Sequence, residues 1–91
     1  MRKPVTTTRF ERDVRMAERR GKDLRRLRRL MQLIAEDAVL PQRYRDHPLK
    51  GEWRGFRDAH VEPDWVLIYR LEGEDIVRFE RTGRHSDLFE E

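Results

Sequence analysis

The 91-residue chain carries 21 basic and 18 acidic side chains, no cysteine, and only 36% hydrophobic residues. This length allows a single domain, residues 1–91, with a core close to the smallest that folds alone. Without cysteine the chain forms neither a disulfide nor a thiolate metal site. No apolar run approaches the roughly 20 residues of a transmembrane helix, and no apolar signal segment follows the basic start. We therefore expect a small cytoplasmic domain without membrane contact.

The basic side chains are concentrated in the first half of the chain. Residues 1–50 hold 15 basic and 7 acidic groups, whereas residues 51–91 hold 6 and 11. Seven cations lie between residues 19 and 29, among them Arg25, Arg26, Arg28 and Arg29. The planar fork of arginine suits phosphate oxygens, and such a surface attracts nucleic acid of any sequence. We expect a nucleic acid or an acidic protein as partner; a charged face that only keeps the protein in solution is the alternative.

A helical hairpin is predicted in the first forty residues. The threonines of residues 6–8 favour a short edge strand, and Thr8 and Glu11 then have the spacing of a capping box. The first helix is predicted to end at Gly21, because glycine readily adopts the conformation of a helix stop. Apolar residues at helical spacing predict a second helix over residues 23–37. The short turn between the two helices predicts that they are antiparallel.

Three strands are predicted after a loop over residues 41–51. They cover residues 52–61, 64–71 and 74–81, and the turns between them are short enough to force antiparallel pairing. The middle strand is apolar on both faces, which is typical of a central strand. A loop with one helical turn is expected over residues 85–91. The predicted fold class is α+β, with the N-terminal helical hairpin packed on one face of a small antiparallel sheet.

The three histidines lie in polar, turn-rich segments, and an imidazole gives or takes a proton near neutral pH. His60 and Asp64 flank a predicted turn, so both are expected at one end of the sheet. Arg81 and His85 follow the last strand. A curled sheet would gather these four residues and His47 in one cleft. Imidazoles, a carboxylate and a guanidinium, without a thiol or a compact metal motif, suit metal-free acid–base catalysis.

RNA cleavage is the reaction that matches this set. A base removes the 2′-hydroxyl proton, an acid protonates the 5′-oxygen leaving group, and a cation stabilises the phosphorane. Because the 2′-hydroxyl belongs to the substrate, the attack is intramolecular, needs no metal-activated water, and excludes DNA. Tyr44, Trp65 and Phe89 are candidates for stacking on unpaired bases, with packing in the core as the alternative.

Two other interpretations of the histidines stay open from the residues alone. Histidines of a small protein are commonly surface residues without a catalytic role. Three histidines can also bind zinc, although their intervals of 13 and 25 residues match no compact ligand spacing. Spacing by itself therefore leaves the function undecided.

Three segments carry a resemblance to a known family. Residues 46–51 read DHPLKG, residues 53–65 read WRGFRDAHVEPDW, and residues 79–85 read FERTGRH. These strings resemble the YafQ-type toxins of the RelE/ParE superfamily of bacterial toxin–antitoxin systems, and the resemblance covers essentially the whole chain. It implies a microbial-ribonuclease-like sheet with two N-terminal helices. It also implies a ribosome-dependent endoribonuclease that cuts translated mRNA without metal or cofactor.

The resemblance further implies partners and site residues. The partner would be a cognate antitoxin of ribbon-helix-helix type, through which the complex binds operator DNA. The implied catalytic residues, with Trp65 and Phe89 in support, are His47, His60, Asp64 and His85. We expect His85 to be the general acid and either Asp64 or His60 to be the base. His47 and Arg81 are expected to bind the scissile phosphate, Arg81 on chemical grounds alone.

The basic surface from Arg25 to Arg29 is expected to hold ribosomal RNA phosphates because of its charge density. Two other functions stay open. A gyrase-inhibiting toxin of the ParE kind would keep the fold without ribonuclease chemistry, although it has no need for several acid–base groups. A non-catalytic nucleic-acid-binding module would use only the basic surface.

Overall fold

A computed structural model of the chain describes residues 1–89 as two helices packed on a five-stranded sheet. The elements are β1 (Lys3–Thr6), α1 (Thr8–Arg19), α2 (Leu24–Ala35), β2 (His47–Pro48), β3 (Arg57–Glu62), β4 (Trp65–Glu72), β5 (Ile76–Gly83) and α3 (His85–Phe89). Single turns of 3-10 helix occupy Gln42–Tyr44 and Gly51–Trp53. The strand order is β1-β5-β4-β3-β2. Within residues 1–89, no helix is long and apolar enough to cross a membrane.

The sheet is mixed, which corrects the prediction of an antiparallel sheet. β1 pairs in parallel with β5, from Lys3 opposite Ile76 to Thr6 opposite Phe79, whereas the other pairs are antiparallel. The predicted edge strand at residues 6–8 is displaced toward the N-terminus. β-Propensity locates it poorly because its pairing partner lies more than 70 residues away in the chain.

The start of α1 is one residue earlier than the predicted capping box. The N-cap is Thr7, whose hydroxyl oxygen accepts the Phe10 N–H at 2.9 Å. The same hydroxyl donates to the carbonyl of Glu80 at 2.9 Å, which joins the helix start to β5. The predicted stop is confirmed, because Gly21 follows the helix with a φ of +80°.

The larger core lies between the two helices and the sheet. The predicted stripe of α2 is confirmed by the burial of Leu27, Leu30 and Ile34. They belong to one buried cluster with Leu67 of β4 and Phe79 of β5. Burial of these side chains removes apolar surface from water and supplies most of the stability of so small a domain.

A smaller core lies on the opposite face of the sheet. Val66 and Ile68 of β4 are buried there with Leu88 of α3, so the central strand is buried on both faces, as its sequence predicts. The predicted strand over residues 52–61 begins only at Arg57, because the preceding residues form a loop and a 3-10 turn that cover this core. This second face also carries the histidines.

Candidate active site

All three histidines lie close enough to one buried carboxylate, Asp58, for their charges to act on it, on the face of the sheet opposite α1 and α2. His47 of β2 pairs with Asp58 of β3, and its Nδ1 lies 3.0 Å from Asp58 Oδ1. His60 lies two residues farther along β3 and therefore points to the same face. His85 begins α3, and the charges of all three imidazoles act on the Asp58 carboxyl group. The structure thus brings the three histidines together from β2, β3 and α3.

Hydrogen bonds to backbone carbonyls show which ring nitrogen carries the proton in His47 and His60. His47 Nδ1 lies 2.7 Å from the Arg45 carbonyl oxygen, and His60 Nδ1 lies 3.3 Å from that of Pro63. A carbonyl oxygen only accepts hydrogen bonds, so each Nδ1 carries the proton. In a neutral ring Nε2 then has the free lone pair. Both rings therefore have the form that a general base requires.

Asp58 is the residue that sequence reasoning missed. Its side chain is 3% exposed, and burial raises the pKa of its carboxyl group while the three imidazole charges act in the opposite direction. The signal that could have found it is the two-residue period of a strand, which places Asp58 and His60 on one face of β3. A carboxylate on the same strand face as a candidate catalytic histidine is itself a candidate for the site.

The short helix α3 fixes His85, and the predicted helical turn after the last strand is confirmed. The His85 ring lies against Phe89, with 4.6 Å between ring centroids. Leu88 is buried in the smaller core, and Asp87 accepts a hydrogen bond at 3.0 Å from Arg20, the C-cap of α1. Contacts with the smaller core and with Arg20 therefore both fix the position of α3. Phe89 is half-buried, so part of its ring stays accessible.

Asp64 lines a different cavity from His60. It is exposed in the turn between β3 and β4 and lines a cavity of about 300 Å³ between α1 and the end of β5. Met16, Arg84 and Asp87 line the same cavity, whereas His60 lines another one. The catalytic role of Asp64 therefore stays a prediction.

Arg81, which is predicted to bind the scissile phosphate, is held by an internal partner. Its Nε lies 2.7 Å from Asp13 Oδ2 and its Nη2 lies 3.2 Å from Oδ1. Both side chains are only 16% exposed, and the bond to Asp13 raises the pKa of Arg81. Asp13 also accepts the Thr82 N–H at 3.1 Å. Its contact with a phosphate stays a prediction.

Trp65 and Tyr44 pack in the core and do not present a stacking surface. Their side chains are 2% and 6% exposed. The Trp65 indole N–H donates to Thr82 Oγ1 at 2.9 Å, and the Lys22 ammonium group lies 5.8 Å from the centroid of its ring. The predicted base stacking by these two rings is therefore corrected to packing. The bond from Trp65 to Thr82 joins β4 to β5.

A cleft of about 610 Å³, which we call the basic cleft, leads from α2 to His60. Its lining cations are Arg25, Arg26, Arg29, Arg43 and Arg45. The acid in the lining is Glu62, whose pKa is lowered by Lys22 and Arg26. Three of the four predicted arginines thus line one cleft that ends at a catalytic candidate, and Arg28 lies outside its lining.

Within the described residues, no group of three or more histidine, aspartate, glutamate or cysteine side chains is placed to hold a metal ion.

Comparison with known proteins identifies the family. The family model for YafQ, a bacterial toxin of type II toxin–antitoxin systems, matches residues 2–90. The chain is 52% identical over 81 residues to the mRNA interferase toxin YafQ of Escherichia coli strain K12, which covers 88% of this chain and 87% of that protein.

Solved structures confirm the predicted toxin fold. A chain of the E. coli DinJ–YafQ toxin–antitoxin complex superposes with a TM-score of 0.88 and 48% identity, covering 97% of both chains. A metal-bound toxin from Helicobacter pylori superposes with a TM-score of 0.92 and 34% identity, covering 98% of this chain and all of that one. The chain belongs to the YafQ family of toxins of bacterial type II toxin–antitoxin systems.

Proposed function

We propose that this toxin is a cytoplasmic endoribonuclease that cuts mRNA on the translating ribosome by metal-independent acid–base catalysis. The E. coli relative, at 52% identity, is named an mRNA interferase. The observation that carries the proposal is the meeting of His47, His60 and His85 around Asp58, beside the basic cleft. Cleavage of RNA requires acid–base groups for proton transfer, and neighbouring arginines bind its phosphates.

The general base is assigned to His60. Its Nδ1–H is bound to the Pro63 carbonyl, so Nε2 is free to take the 2′-hydroxyl proton. It also borders the basic cleft, where RNA phosphates would lie. His47 has the same proton position and serves as a second acceptor. Asp64, the other candidate from the sequence, opens onto a different cavity.

The general acid is assigned to His85. It comes from α3, a separate element from the strands that carry the base, so an RNA strand can lie between the two groups. The Phe89 ring at 4.6 Å limits the rotation of the imidazole and offers a partly exposed face to a base. The phosphorane charge is met by arginines that line the basic cleft beside His60. Arg81, which is paired with Asp13, is a further candidate for this role.

The partner is an antitoxin whose acidic or amphipathic segment covers the basic cleft. The E. coli YafQ structure contains the antitoxin DinJ. The excess of basic groups in residues 1–50, 15 against 7, favours an acidic segment on this surface. One surface then serves both RNA and antitoxin, so the two exclude each other. Operator DNA is bound through the ribbon-helix-helix part of the antitoxin.

A cleavage assay with purified toxin, mRNA and ribosomes tests this proposal. We expect cutting of ribosome-bound message, little cutting of naked RNA, and unchanged rates in EDTA. His85→Ala is expected to abolish cutting while the circular dichroism spectrum stays that of the wild type. Equal cutting of naked RNA would refute ribosome dependence, and loss in EDTA restored by zinc or copper would favour a metal site.

The same variant separates the alternative functions. Growth arrest that survives His85→Ala in a folded toxin would contradict the assigned acid. Inhibition of gyrase supercoiling by that variant would then support a ParE-like activity. RNA binding without cutting by the wild type would support a non-catalytic module.

A further inference from the structure

Asp58 is a buried acid to which the proposed reaction gives no role. It lies in β3 opposite His47 on one side and Ile68 on the other, and is 3% exposed. A carboxylate in such apolar surroundings is costly unless charges compensate it. Among residues 1–89, its sole ion-pair partner is His47. Compensation by a histidine, rather than by a permanent cation, makes the charge balance around Asp58 depend on proton transfer.

The Oδ1 atom of Asp58 is placed for an imidazolium. It accepts no hydrogen bond within the described residues, although His47 Nδ1 is 3.0 Å away. The proton on that nitrogen is directed to the Arg45 carbonyl at 2.7 Å. When Nε2 of His47 is protonated as well, the ring becomes an imidazolium with its positive charge beside the buried Asp58 oxygen. Attraction at this distance is much stronger in a buried site than in water.

The other charges near Asp58 point to the same role. The charges of His60 and His85 also act on it favourably, so one carboxylate serves three imidazoles. Asp46 acts on it unfavourably and has its own partners, Arg57 and the Tyr69 hydroxyl group. The histidines are therefore the groups that offset the burial of Asp58.

We propose that Asp58 is a positioning residue whose negative charge holds the three imidazoles around one point and offsets the one imidazolium charge among them throughout the reaction. Before attack, His85 carries the extra proton and His60 is neutral. The 2′-oxygen then bonds to phosphorus as its proton passes to His60, and the bond to the 5′-oxygen breaks as that oxygen takes the proton of His85. The histidines hold one extra proton before and after the step, so a single carboxylate balances them.

This inference rests on the proposed function, but its central coupling is measurable without RNA. The carbon-13 carboxyl signal of Asp58 is followed by NMR against pH in the wild type and in His47→Gln. Because the His47 charge acts to lower the pKa of Asp58, its loss should move the midpoint upward. An unmoved midpoint would overturn the proposal whether or not the toxin cuts RNA.

The second test removes the charge and keeps the shape with Asp58→Asn. We expect kcat on ribosome-bound mRNA to fall by about 100-fold, with KM within about twofold of the wild type, because alignment is lost and binding is not. The nitrogen-15 chemical shifts of the three imidazoles should differ between Asp58→Asn and the wild type, because the rings lose their alignment. Ile68→Val, opposite Asp58 in β4, is the matched control for a packing change without loss of charge.

The outcomes of this second test are distinct. A kcat that falls equally in Asp58→Asn and Ile68→Val, or one unchanged in a folded Asp58→Asn, would overturn the positioning role. A loss of cutting in the wild type itself would instead overturn the proposed function, while the carboxyl titration would still decide the coupling. If Asp58→Asn fails to fold, that titration in the wild type and His47→Gln alone decides.

Discussion

The guanidinium group of Arg81 is held by the carboxylate of Asp13 through two hydrogen bonds, of 2.7 and 3.2 Å, across 68 residues of sequence. Asp13 also accepts the Thr82 N–H, so one acid of α1 binds both the side chain and the backbone of β5. Two parallel bonds from arginine to a carboxylate give strength and fixed geometry. The pair therefore joins the helical layer to the strand that leads to His85.

Asp13→Asn is expected to destabilise the fold. Loss of the charge leaves the mostly buried Arg81 without its counter-ion, a change that costs about 1–3 kcal/mol. In a domain of this size we expect Tm to fall by roughly 5–20 °C in a thermal melt. Glu18→Gln, at an exposed position of the same helix, is the control and should leave Tm nearly unchanged. Equal shifts in both variants would contradict the role of the pair.

Thr7→Ala is expected to cost about 1 kcal/mol of stability because it removes the N-cap of α1. Thr8→Ala should cost less than about 0.5 kcal/mol, since Thr8 is an exposed first-turn residue. Urea unfolding of the two variants measures both values. A larger loss for Thr8→Ala would restore the capping box that the sequence predicts.

The sequence determines most of this fold through local patterns. Helical spacing locates both helices, and the two apolar faces of residues 64–71 identify the central strand. Long-range pairing is what local patterns lack. The parallel pairing of Thr6 with Phe79 and the bond between Arg81 and Asp13 both join residues that are remote in sequence.

The same limit applies to the candidate site. The sequence could place Trp65 on the same strand face as Leu67, but with both faces apolar it could not tell which one the helices cover. The structure places that face in the larger core, so Trp65 is buried. Asp58 and His60 share a strand face by simple alternation, and that pattern is sufficient to add Asp58 to the site.

The basic cleft predicts which arginines contribute to RNA or ribosome binding. Arg29→Gln should weaken ribosome binding. The slope of log affinity against log salt concentration should become shallower by roughly 0.7 for each phosphate that the variant no longer neutralises, which is the value for single strands. Arg28→Gln is the matched control, because Arg28 is an exposed neighbour on the same helix but does not line the cleft. Filter binding across a salt series compares them. Equally weak ribosome binding by both variants would mean that binding depends on the total charge of α2 and not on the position of an arginine in the basic cleft.

The burial of Asp58 has a consequence for the pH dependence of stability. Because its pKa is raised in the folded state, the native protein binds more protons than the unfolded chain above the ordinary aspartate value of 3.8. This group therefore lowers the free energy of unfolding as pH rises from that value through the raised pKa. Asp58→Asn should remove this slope and be at least as stable as the wild type at pH 7.

Urea unfolding of the wild type and Asp58→Asn at a series of pH values checks this prediction. The difference between the two proteins is the quantity to follow, because other carboxyl groups titrate with the opposite sign. Glu62, for example, has a lowered pKa and contributes stability that is lost as pH falls. A variant that loses stability relative to the wild type as pH rises would contradict the expected direction.

The central claim is that the gathered imidazoles act on the 2′-hydroxyl of one RNA linkage. Its most direct test is the single-turnover cleavage of a ribosome-bound mRNA that has one 2′-deoxy nucleotide at the cut position. We predict that this message stays intact while the all-ribose message is cut to a 2′,3′-cyclic phosphate end. Cleavage of both messages at the same rate would contradict the claim.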